Sequence, residues 1–130
     1  MPRILVIDDS ETVRESFKLQ FEKGPYSLKF ATNGLEAIEI LKNDKNFDLI
    51  ICDLFMDHMN GIEFVKAQDS DESINNIPTV IMTSRFNPQF LKDIKEVNVV
   101  KSWLVKPFKP EQLALLMQNI IENRQDQKAS

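Results

Sequence analysis

The sequence predicts an α/β fold in which an open, doubly wound parallel sheet of five strands is covered by five helices. Short apolar runs of strand length alternate five times with segments of helical periodicity. Several of these runs are apolar without interruption, which is typical of parallel strands covered by helices on both faces. The chain has 130 residues, of which 42% are hydrophobic, so it suits one domain with a well-filled core.

Five runs have the length and the β-branched or aromatic content of strands. The first, third and fourth are continuously apolar and should therefore be central. Around the second run, Leu28 and Phe30 alternate with polar residues, which predicts an edge strand. The predicted strands are Ile4–Ile7, Leu28–Phe30, Leu49–Cys52, Thr79–Met82 and Trp103–Val105.

Five helices are predicted between and after these runs. The third is short and is marked only by Ile62 and Val65, whereas a broad apolar stripe from Leu113 to Ile121 marks the fifth. The polar segment 123–130 is expected to be a tail beyond a domain of residues 1–122. Capping residues or an initial proline precede the five helices, at Asp9 and Ser10, Asn33, Asn60, Asn87 with Pro88, and Pro110.

Alternation of this kind predicts right-handed βαβ units. A flavodoxin-like strand order of 2-1-3-4-5 fits best, because it puts the alternating second run at an edge and the continuous runs inside. The net charge of −4 opposes direct binding to nucleic acid or to an anionic membrane. No apolar run approaches the ~20 residues of a membrane span, and the lone Cys52 has no disulfide partner in the chain. We therefore expect a soluble cytoplasmic protein.

Chemically reactive side chains follow four of the predicted strands. Asp8 and Asp9 follow the first, Asp53 the third, Thr83 the fourth and Lys106 the fifth. In an open parallel sheet the ligand site lies beyond the carboxyl ends of the strands, where the strand order reverses. Each of these residues alone is often only a cap or a turn residue. Their joint placement predicts a single pocket.

Carboxylates held this close together repel one another unless a cation lies between them. All the candidate ligands are hard oxygens, which favours Mg²⁺ or Mn²⁺ over zinc. With Lys106 and the Thr83 hydroxyl added, the predicted pocket is suited to stabilising a phosphoryl group. Asp53 is the predicted nucleophile, and it would form an acyl phosphate.

These motifs resemble the receiver domain of two-component response regulators, particularly the stand-alone chemotaxis type, over about residues 3–122. The resemblance rests on the Asp8-Asp9 pair, Asp53 followed by Gly61, Thr83 after an apolar strand, and Lys106-Pro107-Phe108. It implies that Asp53 accepts a phosphoryl group from a histidine kinase or a histidine phosphotransfer protein. It also implies a cis Lys106–Pro107 peptide bond.

The resemblance further implies a role for each neighbouring residue. Asp9, Asp53 and the backbone carbonyl of Phe55 would bind Mg²⁺ directly, and Asp8 would act largely through water. Thr83 would move toward the phosphoryl group and Trp103 would be the switch aromatic. A downstream protein would bind the surface of the fourth helix, fifth strand and fifth helix. The only reactions catalysed would be the chain's own phosphorylation and dephosphorylation.

The chain departs from the family pattern at three places. Asp57 replaces a usual proline, which puts another carboxylate near the site. Val99-Val100 replaces a usual Gly-Ala pair, so Asn98 is a candidate left-handed cap of the fourth helix. Phe55 and Arg85 lie at positions where the family varies and are expected to face the attacking water.

Three other functions compete with this interpretation. An FMN-binding electron carrier of the same fold needs a phosphate loop after the first strand, where Asp8-Asp9 would repel the phosphate. A Mg²⁺-dependent phosphatase with an aspartyl nucleophile usually has Asp-x-Asp there and also a cap domain. A degenerate receiver that only binds partners is disfavoured because every residue of the acidic site is present.

Overall fold

The computed structural model describes residues 1–85 and 87–129, with side chains through Arg124. Strands and helices alternate along the described chain. The strands are β1 Arg3–Ile7, β2 Ser27–Ala31, β3 Leu49–Asp53, β4 Thr79–Thr83 and β5 Val100–Val105. The helices are α1 Glu11–Phe21, α2 Gly34–Asn43, α3 Gly61–Asp69, α4 Pro88–Lys95 and α5 Pro110–Ala129.

The strands form one parallel sheet in the order β2-β1-β3-β4-β5, which confirms the predicted flavodoxin-like topology. Every residue of β3 and β4 is buried, whereas β2 alternates at the edge. Successive residues of β1 point into different cores: Ile4 and Val6 pack with α1 and α5, and Leu5 and Ile7 pack with α2, α3 and α4. Helices therefore cover both faces of the sheet.

Ser10, Asn33, Asn60 and Asn87 are the caps of the first four helices, as predicted, whereas Asp9 is not a cap. The Ser10 hydroxyl accepts a hydrogen bond from the Val13 amide, and Asn33 caps α2 in the same way. Asn60 forms a reciprocal capping box with Glu63, and Asn87 precedes Pro88 at the start of α4. Local sequence therefore sets these helix starts, because each cap satisfies amides that have no partner within the helix.

Two details of the chain's second half differ from the sequence predictions. β5 begins at Val100 rather than at Trp103, because Val100 pairs with Thr79. The register of the β4–β5 pairing shifts between Thr79 and Val80. Asn98 is not a left-handed cap, since His58 is the one non-glycine residue with positive φ in the described chain. The α4 terminus instead continues as right-handed turns, in which the Val97 and Val100 amides bond the Ile94 and Val97 carbonyls.

Helix α5 continues through Ala129 and so includes most of the segment 123–130 that was expected to be a separate tail. Ser130 lies outside the described residues. Arg124 donates a 2.6 Å hydrogen bond to the Phe47 carbonyl and lies 3.7 Å from Asp48, which ties this part of the helix to the segment that precedes β3. Within the residues described, no helix combines the length and the apolarity that a membrane span requires.

Candidate functional site

Strand register brings the predicted site residues together at the carboxyl ends of the strands. Ile7 pairs with Cys52, so Asp8 and Asp53 are level at the ends of β1 and β3. Thr83 pairs with Val105 at the other side of the site, which puts Lys106 directly beyond the end of β5. Parallel strands lie about 4.8 Å apart, so side chains from adjacent ends can meet.

Three carboxylates converge there. One ligand oxygen from each of Asp8, Asp9 and Asp53 lies within 4.8 Å of the others. Asp8 is 0% exposed and Asp53 is 7% exposed, whereas Asp9 faces solvent. This set of hard oxygen donors, open on the Asp9 side, has the chemistry that Mg²⁺ prefers. Asp57 is exposed and is not one of the three.

Lys106 bridges the two buried carboxylates. Its Nζ lies 3.0 Å from Oδ2 of Asp8 and 3.4 Å from Oδ1 of Asp53. Burial and the neighbouring Asp8 charge raise the pKa of Asp53 to about 6, although Lys106 opposes the rise. Burial lowers the pKa of Lys106, but the charges of Asp8 and Asp53 outweigh it and the pKa is raised overall. Lys106 is therefore charged and Asp53 is mostly ionised at neutral pH.

Thr83 is bound to the following loop. Its hydroxyl donates to the Arg85 carbonyl at 2.9 Å and accepts from the Arg85 amide at 3.1 Å. The Thr83 carbonyl accepts a 2.7 Å hydrogen bond from the Lys106 amide. A backbone hydrogen bond thus joins the ends of β4 and β5. Rotation of the Thr83 hydroxyl would break its hydrogen bonds with Arg85.

Aromatic side chains connect the site to α4. Phe55 packs edge to face on Phe90, with ring centroids 5.3 Å apart. The Arg85 guanidinium lies 5.2 Å from the centroid of the Phe55 ring. Trp103 is half-buried and lines, with Thr83 and Phe90, a crevice of about 10 Å³. A space of that size holds no more than about one water molecule, so the crevice is too small for the indole ring.

The loop between β3 and α3 is built closely around Asp53. The Gly61 amide bonds the Leu54 carbonyl at 2.9 Å, and a β-carbon on Gly61 would lie 2.5 Å from the Asp53 carbonyl oxygen. His58 of this loop is exposed, and its φ of 68° is left-handed. Cys52 is a core residue, and burial raises the pKa of its thiol. The Lys106–Pro107 bond is cis, as the resemblance implied.

Two contacts at the site involve residues that the sequence analysis did not single out. Arg14 donates a 2.7 Å hydrogen bond to the Asp8 carbonyl, and Phe90 packs on Phe55. The one available signal for Arg14 was a cation near the start of a helix, where positive charge is unfavourable. The sequence around Phe90 does not indicate a role at the site, because apolar residues are common on the buried face of an amphipathic helix.

Comparison with known proteins identifies the family. The sequence profile of the response regulator receiver domain matches residues 4–118. The chain is 28% identical over 120 residues to two-component response regulator ORR3 of Oryza sativa, covering 92% of this chain and 91% of the relative. It is 27% identical to a CheY homolog of Campylobacter jejuni over 120 residues, with 92% of each covered. The solved structure of Vibrio cholerae CheY4 shares 32% identity and a TM-score of 0.84, covering 92% of this chain and 98% of that one.

The chain belongs to the response regulator receiver domain family, whose members are signalling domains of two-component phosphorelays. Its likeness to single-domain chemotaxis proteins extends over nearly their whole length. Receiver domains interact with histidine kinases or phosphotransfer proteins, and the family typically uses Mg²⁺ at an acidic pocket. In this chain Asp8, Asp9 and Asp53 form a cluster of carboxylates at the carboxyl ends of β1 and β3.

Proposed function

We propose that Asp53 accepts a phosphoryl group from a phosphohistidine of a histidine kinase or histidine phosphotransfer protein. The observation that carries this proposal is the arrangement of charges around Asp53. Its carboxylate shares a pocket with Asp8 and Asp9 and lies 3.4 Å from the Lys106 ammonium. Asp9, Asp53 and the Phe55 carbonyl would hold Mg²⁺, with Asp8 acting through water. When bound, Mg²⁺ supplies positive charge that offsets both the carboxylates and the phosphoryl oxygens.

In the proposed transfer, an Asp53 carboxylate oxygen attacks phosphorus. The new P–O bond forms as the P–N bond to the donor imidazole breaks, and the departing nitrogen keeps the electron pair and takes a proton. Lys106 lies between Asp8 and Asp53, so its ammonium can follow the charge from the carboxylate to the phosphoryl oxygens. Asp53 is competent at neutral pH because its pKa of about 6 leaves it mostly ionised.

The proposed response to phosphorylation begins at Thr83. Its hydroxyl would leave the Arg85 carbonyl for a phosphoryl oxygen and thereby free the loop that precedes α4. Trp103 would then turn inward as α4 moves, because the crevice between them is too small for the indole. The altered surface of α4, β5 and α5 would bind a downstream protein. The chain acts in this scheme as a signalling domain and catalyses only its own phosphorylation and dephosphorylation.

Intact-mass measurement after incubation with acetyl phosphate tests the proposal. With Mg²⁺, the protein should gain the mass of one phosphoryl group, and EDTA should prevent the gain. Asp53→Asn should remain unmodified. Asp57→Asn is the matched control, because Asp57 is an exposed aspartate of the following loop and should leave the labelling intact. Equal labelling of Asp53→Asn, or labelling in EDTA, would contradict the proposal.

A further inference from the structure

Arg14 makes a contact that the proposed reaction does not use directly. It is the fourth residue of α1, and its backbone amide bonds the Ser10 carbonyl at 3.1 Å in the first helical turn. Its side chain turns back toward β1, where Nη1 donates a 2.7 Å hydrogen bond to the carbonyl oxygen of Asp8. Arg14 therefore joins the helix to the turn that presents the acidic pair.

That carbonyl belongs to the peptide unit between Asp8 and Asp9. A peptide unit is planar, so a hydrogen bond that holds its carbonyl oxygen also holds the N–Cα bond of the next residue, here Asp9. The Asp8 carboxylate is already held, because Oδ1 accepts from the Ser10 amide at 2.9 Å and Oδ2 accepts from Lys106 at 3.0 Å. Asp9 is exposed. The bond from Arg14 thus constrains the backbone from which Asp9 reaches the pocket.

The position of Arg14 in α1 is unfavourable for a cation by itself. Partial positive charge at a helix N-terminus disfavours a positive side chain. The acidic residue in the first turn, Glu11, follows the ordinary preference, whereas Arg14 does not. Arg14 bonds the backbone carbonyl of Asp8 rather than a carboxylate, so it acts on the backbone of the acidic pair.

We propose that Arg14 is a positioning residue for the divalent cation: its hydrogen bond to the Asp8 carbonyl aims the Asp9 carboxylate at the pocket shared with Asp53. This inference rests on the proposed Mg²⁺ site. Some groups orient metal ligands without touching the metal. Their removal typically weakens metal affinity about 10–100-fold. Arg14 should therefore control the affinity for Mg²⁺ and leave the rate at saturating Mg²⁺ unchanged.

The experiment compares Arg14→Met with Lys18→Met. Methionine keeps an unbranched stem and a high helix propensity while it removes the donor. Lys18 lies one turn further along α1 and pairs with Glu15, so it is a matched control for the loss of a cation from this helix. Mg²⁺ binding is measured by calorimetry, and Asp53 labelling by acetyl phosphate is followed as a function of Mg²⁺ concentration.

Arg14→Met should raise the dissociation constant for Mg²⁺, and the Mg²⁺ concentration for half-maximal labelling, about 10-fold. The labelling rate at saturation should stay at the wild-type value, and Lys18→Met should change neither quantity. Arg14→Lys, which retains a donor, should recover part of the affinity. If Arg14→Met does not fold, Arg14→Gln is compared with Lys18→Gln in the same way.

Two outcomes would overturn the inference. One is an Arg14 variant whose Mg²⁺ affinity equals that of its Lys18 control. The other is a lower rate at saturating Mg²⁺ with unchanged affinity, which would place Arg14 in the reaction itself or at the donor. Failure of the proposed function gives a different result, because the wild-type protein would then neither bind Mg²⁺ in the calorimeter nor become labelled.

Discussion

Lys106 and Asp8 form an ion pair of 3.0 Å although they are 98 positions apart in the chain. Asp8 is fully buried, and the same ammonium lies 3.4 Å from Asp53. One ammonium is thus shared by two carboxylates, and burial together with the Asp8 charge still raises the pKa of Asp53. The stability of the protein should consequently depend on how the remaining negative charge is relieved.

The first prediction concerns pH. The pKa of Asp53 is raised in the folded protein from 3.8 to about 6, so the folded state binds its proton more tightly than the unfolded state does. The contribution of Asp53 to stability is therefore greatest below pH 3.8 and is lost as the pH rises through about 6. Between pH 3.8 and about 6, the free energy of unfolding of Asp53→Asn should therefore rise relative to that of the wild type. Urea unfolding in EDTA at several pH values measures this difference. A difference that is constant with pH would contradict the assignment.

The second prediction concerns metal binding. Mg²⁺ should raise the melting temperature, because a ligand that binds only the folded state stabilises it by mass action. Asp9→Asn should make the metal-free protein more stable, since it relieves repulsion in the group of three carboxylates. The same variant should no longer respond to Mg²⁺. Calorimetric melting with and without Mg²⁺ checks both effects, and Asp57→Asn, which lies outside the group, should behave like the wild type.

Gly61 provides the third prediction. A β-carbon there would lie 2.5 Å from the Asp53 carbonyl oxygen and 2.8 Å from the Leu54 Cα, so backbone atoms must move. Gly61→Ala should lower the free energy of unfolding by about 1–3 kcal/mol, as overpacking does, and should slow labelling of Asp53. At Gly24 the nearest atom would be 3.4 Å away, so Gly24→Ala is the control. Equal effects of the two changes in urea unfolding would refute the argument.

The fourth prediction concerns Trp103. Mg²⁺ alone should barely change its fluorescence, whereas beryllium fluoride, a mimic of the phosphoryl group, should reduce quenching by acrylamide as the indole turns inward. Trp103 is the only tryptophan, so the signal has a single source. Thr83→Ala should abolish the change by removing the hydroxyl that leaves Arg85. Unaltered quenching despite bound beryllium fluoride would make Trp103 a static residue of the β5 face.

The fifth prediction concerns His58, whose φ of 68° is costly for a residue with a β-carbon. His58→Gly should raise the free energy of unfolding by up to about 1 kcal/mol, because glycine adopts this conformation freely. Its neighbour Asp57 is exposed and does not have positive φ, so Asp57→Gly should give no gain. Chemical unfolding of the two variants checks the difference.

Local patterns in the sequence specify the order of the elements and the starts of the helices. Strand length, the uninterrupted apolar runs and the caps at Ser10, Asn33 and Asn60 are local signals, and each acts over a few residues. The reversal of strand order between β1 and β3 also followed from composition, because only buried strands are apolar on both faces. Together these signals were sufficient to predict that Asp8, Asp9, Asp53, Thr83 and Lys106 share one edge of the sheet.

Other features depend on contacts between residues that are distant in the sequence. Arg124 of α5 donates a hydrogen bond to the Phe47 carbonyl, a contact over 77 positions that no local pattern indicates. The early start of β5 depends on pairing with β4, and the left-handed His58 depends on the closure of its loop. The hydrogen bond from Arg14 to Asp8 is of the same kind. Side-chain direction and backbone twist set it, and neither can be read from the spacing of residues.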